Sequence, residues 1–464
     1  MSACQKLGQR NKRLFFPNPP SRNASVPLPP QPIFRHGDRT PVENFPTALH
    51  KESDWPQGFG QLTKIGMQQQ YELGRYVRKR YSNFLSATYN RQEIFIQSTD
   101  YDRTIMSAQA HLAGLFPPKG SQIWNPQILW QPIPVHILPE SQDQILHFPT
   151  SDCPRFDELQ NETQASRAFQ NRLQPYMGFL KTMAAHTGYN VETLKALHKF
   201  KTWNIYDTLL CESIHNYTLP EWASQEVMGK MEKLAALSLQ SLFGIYKTKE
   251  KSQLQGGLLV NAILKDIKQA IKPSNKRKIR IYSAHDTTIG ALQMALNIFN
   301  GKLPPYRACQ FFELYQENNG HYSVEMFYRN DTLADPYPLR LPGCTSSCPL
   351  EKFAALVSPV IVKDWSKECG KSQVRNFVGL RNWGMLLYVL RCPVSSRLGV
   401  CRSPCLQAPE QQLAGCPPSS FPVQTLSAPA AALSLLSPQI FPGLFLPVLP
   451  PSTHCLKPSQ VVCS

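Results

Sequence analysis

The chain has 464 residues, 42% of them hydrophobic and 17% charged, a globular composition that excludes a wholly disordered protein. Its net charge of +17 is unevenly spread: residues 1–33 carry +5, residues 370–464 carry +6, and only +6 is left for the long middle stretch. No basic run there is interleaved with aromatic side chains, which excludes nucleic acid as the expected partner.

Three zones follow from these shifts. Residues 1–33 are proline-rich, and Met1 to Arg13 is polar and basic with no apolar run behind it, so no signal peptide is recognisable. Residues 34–369 read as a folded domain. Residues 370–464 hold six of the 13 cysteines, several proline clusters and a single acidic residue, which predicts an irregular tail with a short helix at most, over Phe377 to Leu390. The apolar stretch Ala430 to Pro450 is broken by Pro438, Pro442 and Pro447, against a membrane helix.

Taken in chain order, the first candidate strand is compromised. Prolines at 27, 29, 30 and 32 cannot donate into a central ladder, so only Ile33 and Phe34 are expected to pair there. Gln61 to Tyr81 has apolar residues at 67, 71, 73, 74 and 77 and predicts an amphipathic helix capped near Thr63. Ile94 to Ile96 is a short strand running into the polar turn Ser98 to Asp102. Residues 155–272 are mostly helical in pattern, with Pro220 opening one helix and Gly256-Gly257 interrupting another. Ile279 to Ser283 is a second strand, followed by Ala284-His285-Asp286-Thr287 and a helix over Ile289 to Leu296. Strand, loop and helix in this order predict an α/β fold, a doubly wound sheet with chemistry at its carboxyl ends. The helical stretch over roughly residues 150–270 predicts a smaller α-helical domain inserted into it.

Chemistry concentrates in Arg35-His36-Gly37-Asp38-Arg39-Thr40-Pro41, which fits RHGxRxP. A neutral imidazole is a good nucleophile toward phosphorus. Two arginines beside it offer bidentate donors to phosphoryl oxygens, and Gly37 lets the backbone approach an anion without a Cβ in the way. Arg103 follows a strand end and could be a third phosphate ligand, although an arginine in an acidic loop is more often half of a surface ion pair. His285-Asp286 lies just past a strand at a helix start, where an anion is favoured. A carboxylic acid there suits protonation of a leaving alkoxide, and a plain helix cap fits it too.

With these residues the chain resembles the histidine acid phosphatases, from Phe34 to about Cys369. FRHGDRTP, WPQGFGQLT (55–63), STDYDRT (98–104), FPPKG (116–120), WQPIPVH (130–136), YSAHDTT (282–288) and LPGCTSSCPL (341–350) occur in the family's order. The resemblance implies hydrolysis of phosphate monoesters through a phosphohistidine, with His36 as nucleophile and Asp286 as proton donor. It implies Arg35, Arg39, Arg103 and His285 as phosphate ligands, and neither metal nor cofactor. It also implies disulfides Cys153–Cys369, Cys211–Cys309 and Cys344–Cys348, a homodimer through the region of Trp130 and His136, and secretion or delivery to the lysosome. Substrates would include nucleotides, lysophosphatidate and phosphotyrosine. Four N-x-S/T sequons begin at Asn23, Asn161, Asn216 and Asn330 and, with the cysteines, lean toward an oxidising compartment. The alternative expectation is a member impaired in catalysis, because a proline-rich segment stands where the strand before His36 belongs.

Overall fold

The computed structural model describes residues 26–147 and 153–370. In chain order these form β1 (Val26–Arg35), α1 (Lys64–Arg80), β2 (Ile94–Ser98), α2 (Asp102–Leu115) and β3 (His136–Ile137). A helical run follows: α3 (Pro154–Ala165), α4 (Arg167–Leu173), α5 (Met177–Thr187), α6 (Val191–Lys195), α7 (Lys201–Ile214), α8 (Gln225–Phe243), α9 (Thr248–Leu254) and α10 (Gly256–Ala270). The chain then returns to the sheet with β4 (Ile279–Ala284), α11 (Asp286–Ala295), β5 (Cys309–Gln316), β6 (Tyr322–Arg329), β7 (Tyr337–Leu339) and β8 (Cys348–Pro349), and closes with α12 (Leu350–Val357) and α13 (Trp365–Glu368).

The sheet order is β3-β2-β4-β1-β5-β6-β7, with β8 on β6. Pairing is parallel from β3 through β2 and β4 to β1 and antiparallel beyond it. One face packs against α1 and α2 through Phe34, Leu73, Val77, Ile96, Leu112 and Phe311. The other packs against α10, α11 and α12 through Ile33, Ile263, Tyr282, Leu292, Phe312 and Phe353. Helices on both faces of a mixed sheet, with a helical run between β3 and β4, are the α/β architecture expected.

The structure corrects the reading of the prolines. β1 forms and pairs with β5 from Val26 to Phe34, in register Val26↔Gln316 to Phe34↔Cys309. Pro29 and Pro30 fall in a bulge between Leu28 and Gln31, where the ladder is already interrupted and a missing N–H costs nothing further. On its other edge β1 pairs with β4 only over Ile33 to Arg35, so the remaining prolines need no donor there.

Two helix details differ as well. Thr63 caps α1 as expected, its side chain accepting from the Gly66 amide, but the buried stripe is Gly66, Gln70, Leu73, Gly74 and Val77, and Tyr71 is exposed. Glycine sets that face: a Cβ on Gly74 would lie 2.0 Å from the His111 carbonyl oxygen of α2. Pro220 lies in a turn, and the helix begins only after Ser224, whose side chain accepts from the Val227 amide. Phe377 to Leu390 and the apolar stretch 430–450 lie outside the described residues.

Cys153–Cys369 and Cys344–Cys348 are disulfides. Cys211 and Cys309 are instead buried free thiols, a correction to the expected third bridge. Their surroundings explain it. Cys211, on α7, lies 3.4 Å from the Tyr306 hydroxyl and 3.9 Å from Arg39 Nη1. Cys309 packs among Phe34, Ile281 and Phe311, where Arg80 and Arg329 are the charges it feels. Burial pushes both thiols up.

The Cys153–Cys369 bridge spans 216 positions, joining the start of α3 to the end of α13. In the chain-entropy treatment a loop of that length is worth about 5 kcal/mol. Cys369→Ser is therefore expected to lower the unfolding free energy by about 3–5 kcal/mol in urea denaturation of oxidised protein. A loss below about 1 kcal/mol would show that the bridge does not restrain the unfolded chain.

Candidate active site

β2, β4 and β1 are adjacent parallel strands, and the residues singled out from sequence lie at their carboxyl ends. Arg35 and His36 end β1, with Arg39 in the loop beyond. Thr99 follows β2, and Arg103 is in the first turn of α2. His285 follows β4, and Asp286 opens α11. Two helix N-termini, those of α2 and α11, therefore sit beside the imidazole, where their free N–H groups favour negative charge.

His36 is fixed from both sides of its backbone. Its amide donates to the Ala284 carbonyl at 2.9 Å, and its carbonyl accepts from the Arg307 amide at 3.1 Å. Nδ1 lies 2.8 Å from the Gly37 carbonyl oxygen. A carbonyl only accepts, so Nδ1 carries the ring proton and Nε2 keeps its lone pair. The side chain is buried, and its pKa is driven well below the ordinary histidine value by burial first, then by Arg35, Arg103, Arg39 and His285. The resting imidazole is neutral, the state a nucleophile needs.

Each arginine is held by partners that occupy its Nη atoms or its face. Arg35 donates from Nη1 to the Pro304 carbonyl at 2.8 Å, pairs through Nη2 with Asp286 Oδ2 at 2.8 Å, and lies 4.2 Å from the Tyr306 ring centre. Arg39 makes a two-pronged ion pair with Asp207, Nη1 to Oδ2 at 2.7 Å and Nη2 to Oδ1 at 3.0 Å. Arg103 stacks over Tyr101 at 4.6 Å, and its pKa is lowered to about 10 by burial and then by repulsion from Arg39. What is left over is informative. The Nε atoms of Arg35, Arg39 and Arg103 are all buried and have no hydrogen-bond partner among the described residues. Each buried donor left so costs roughly 1–3 kcal/mol, and three around one imidazole specify an anion as the missing partner.

His285 Nε2 is 2.9 Å from Thr99 Oγ1, and its ring centre is 5.6 Å from that of His36. Its pKa is lowered by burial and then by Arg103. Asp286 accepts from the Thr287 amide at 2.7 Å through Oδ1, while Oδ2 takes Arg35. The six residues named from sequence thus come together. Gly37 does so for a different reason from the one expected. A Cβ there would lie 2.3 Å from the Gly66 carbonyl oxygen of α1, so the glycine admits a helix rather than an anion. Sequence reading missed Asp207 and Tyr306. An acid on the buried face of α7 was the only signal for the first, and Tyr306 sits in a loop with none.

Residues 31–329 match the family model of the histidine phosphatase superfamily, branch 2. The chain belongs to this family. Branch 2 relatives include the prostatic acid phosphatase of Bos taurus, 56% identical over 348 residues, which are 75% of this chain and 88% of that protein. The human lysosomal acid phosphatase is 48% identical over 362 residues, 77% of this chain and 84% of that one. Among solved structures, the Hafnia alvei phytase in complex with tartrate superposes with a TM-score of 0.58 at 17% identity, covering 75% of this chain and 99% of the phytase. The Citrobacter braakii phytase gives 0.57 at 16% identity, covering 74% and 99%. At that identity the likeness speaks for the fold alone.

The depressed pKa of His36 fixes the direction of a pH effect. Unfolded or exposed histidine gains its proton near 6.5, whereas the folded, neutral His36 keeps its lone pair well below that. The limb of kcat/KM that reports His36 protonation is therefore expected well below pH 6.5 once substrate ionisation is subtracted. A single-proton loss of activity centred at pH 6.5 would contradict the environment described.

Proposed function

We propose that this branch 2 enzyme hydrolyses phosphate monoesters through a phosphohistidine, with His36 as nucleophile and Asp286 as proton donor. The observation that carries the reading is a neutral imidazole with a free Nε2, ringed by three buried arginine Nε donors that have no partner. The phosphoryl oxygens would take those donors and, at its ring, His285. His36 Nε2 then attacks phosphorus, the P–O ester bond breaks, and the leaving oxygen takes a proton from Asp286. In the second half, water attacks the phosphohistidine, Asp286 accepts its proton, and the P–N bond breaks to return neutral His36 and phosphate. Acidic medium suits this cycle, because Asp286 must carry a proton at the first step. The expectation of an impaired enzyme rested on a missing strand before His36, and β1 pairs on both edges at Ile33 and Phe34.

A site that grips the phosphoryl group and supplies a proton asks little of the leaving group, which supports a range of monoesters such as nucleotides, lysophosphatidate and phosphotyrosine. The homodimer is proposed through the sheet edge at β3, where Trp124, Leu129, Trp130, Ile137 and Leu138 are exposed and His136 stacks on Phe95 at 4.5 Å. Two disulfides and exposed sequon asparagines at 161 and 216 support passage through an oxidising, glycosylating compartment toward secretion or the lysosome.

His36→Ala is expected to abolish turnover in a folded protein. Asp286→Asn is expected to slow an alkyl phosphate at least tenfold more than p-nitrophenyl phosphate, whose phenolate leaves with little need of a proton. Equal losses on the two esters, measured as kcat at pH 5, would remove Asp286 from the role of acid.

A further inference from the structure

One helix of the α-helical insertion reaches the nucleophile loop along its length. α7 and its C-cap His215 present a polar row at spacings of three and four, which on a helix is a single face. Lys201 Nζ donates to both carboxylate oxygens of Glu43 at 2.8 and 3.0 Å, and Asn204 Nδ2 donates to Glu43 Oε1 at 2.6 Å. Thr208 Oγ1 donates to the Glu43 carbonyl at 2.9 Å. Asp207 holds Arg39 by its fork, with Cys211 Sγ beside the same guanidinium. His215 Nε2 lies 2.7 Å from Asp38 Oδ2, which also accepts from the Thr63 hydroxyl. Ile205 and Leu209, on another face of α7, pack with Met231 and Leu234 of α8. The helix therefore buries one side for stability and commits the other to residues 38–43.

We propose that α7 is a positioning element for the phosphate site, with Asp207 as the residue that aims Arg39 and His215 as the one that fixes Asp38 in the same loop. The fork decides which donor of Arg39 faces the substrate. With one N–H of each Nη given to Asp207, the guanidinium plane is set, and Nε with the second N–H of Nη2 is left to donate. Asparagine in place of Asp207 offers one acceptor and one clashing donor, so the plane is no longer fixed. Asp207 never touches the substrate, and its effect passes through Arg39 alone. This inference rests on Arg39 being a phosphate ligand.

The test is a double-mutant cycle on the full chain, with p-nitrophenyl phosphate as substrate, orthophosphate as competitive inhibitor and the thermal midpoint of each variant recorded. Asp207→Asn is expected to lower kcat/KM by roughly 10–10²-fold, the scale of a misplacement of about 1 Å, and to raise the orthophosphate inhibition constant. In an Arg39→Ala background the same change is expected to cost less than twofold. Multiplicative losses in the cycle, or wild-type kcat/KM and inhibition in Asp207→Asn, would overturn the proposal. Should Asp207→Asn fail to fold, His215→Gln, at the C-terminal end of the row, serves instead. It is expected to lower kcat/KM roughly 3–10-fold with an unchanged thermal midpoint, and full activity there would overturn the positioning role. Full activity of Arg39→Ala would remove Arg39 from the site, and the proposal with it.

Discussion

Three guanidinium groups converge on one buried imidazole, and the protein has to hold them there while keeping that imidazole neutral. Like charges in a dry site repel strongly, so each arginine needs its own restraint. Asp207 balances Arg39, and Asp286 with the Pro304 carbonyl restrains Arg35. Among the described residues Arg103 has no carboxylate in contact, and it rests on the Tyr101 ring. Burial keeps a proton off His36, and the same crowd of cations adds to it. Electrostatics that would be costly for a resting core become useful once a phosphoryl group supplies the missing negative charge.

The fold meets this constraint by ending three parallel strands side by side. His36 is hydrogen-bonded to the end of β4 on one side and to the segment before β5 on the other, so the ring's origin is fixed by the sheet itself. Behind it, α1 approaches closely enough that Gly37 and Gly66 touch backbone to backbone. A Cβ on Gly66 would come within 2.1 Å of the Asp38 carbonyl oxygen, so neither glycine has room for a side chain. Packing this tight is what allows a loop, rather than a strand, to carry the nucleophile without losing its aim.

What was legible in the sequence was what is contiguous. Arg35, His36 and Arg39 lie within five positions, and His285-Asp286 follows a strand whose apolar run is plain, so type and order alone brought them to one end of a sheet. Strands β2 and β4, the cap at Thr63 and the break at Gly256 were readable for the same reason. The misreadings share a cause, which is that tertiary partners decided the outcome. The prolines of β1 are tolerated because a bulge and a half-paired edge absorb them. On α1 the expected positions 73, 74 and 77 are buried, while glycine contacts rather than Tyr71 complete the face. Cys211 and Cys309, expected as a bridge from family likeness, are buried free thiols. Asp207 and Tyr306 are far in sequence from the groups they serve, and no local pattern announces them.

The account turns on Nδ1 of His36 being the protonated nitrogen and Nε2 the attacking one. The most direct measurement is to quench the enzyme during turnover of a phosphate monoester, isolate the phosphopeptide under alkaline conditions and assign the phosphorylated nitrogen by ³¹P–¹H NMR. The expected result is a single phosphate on Nε2 of His36, lost in His36→Ala. Phosphate on Nδ1, on His285 or on any other residue would contradict the hydrogen bond to Gly37 as the device that directs the chemistry.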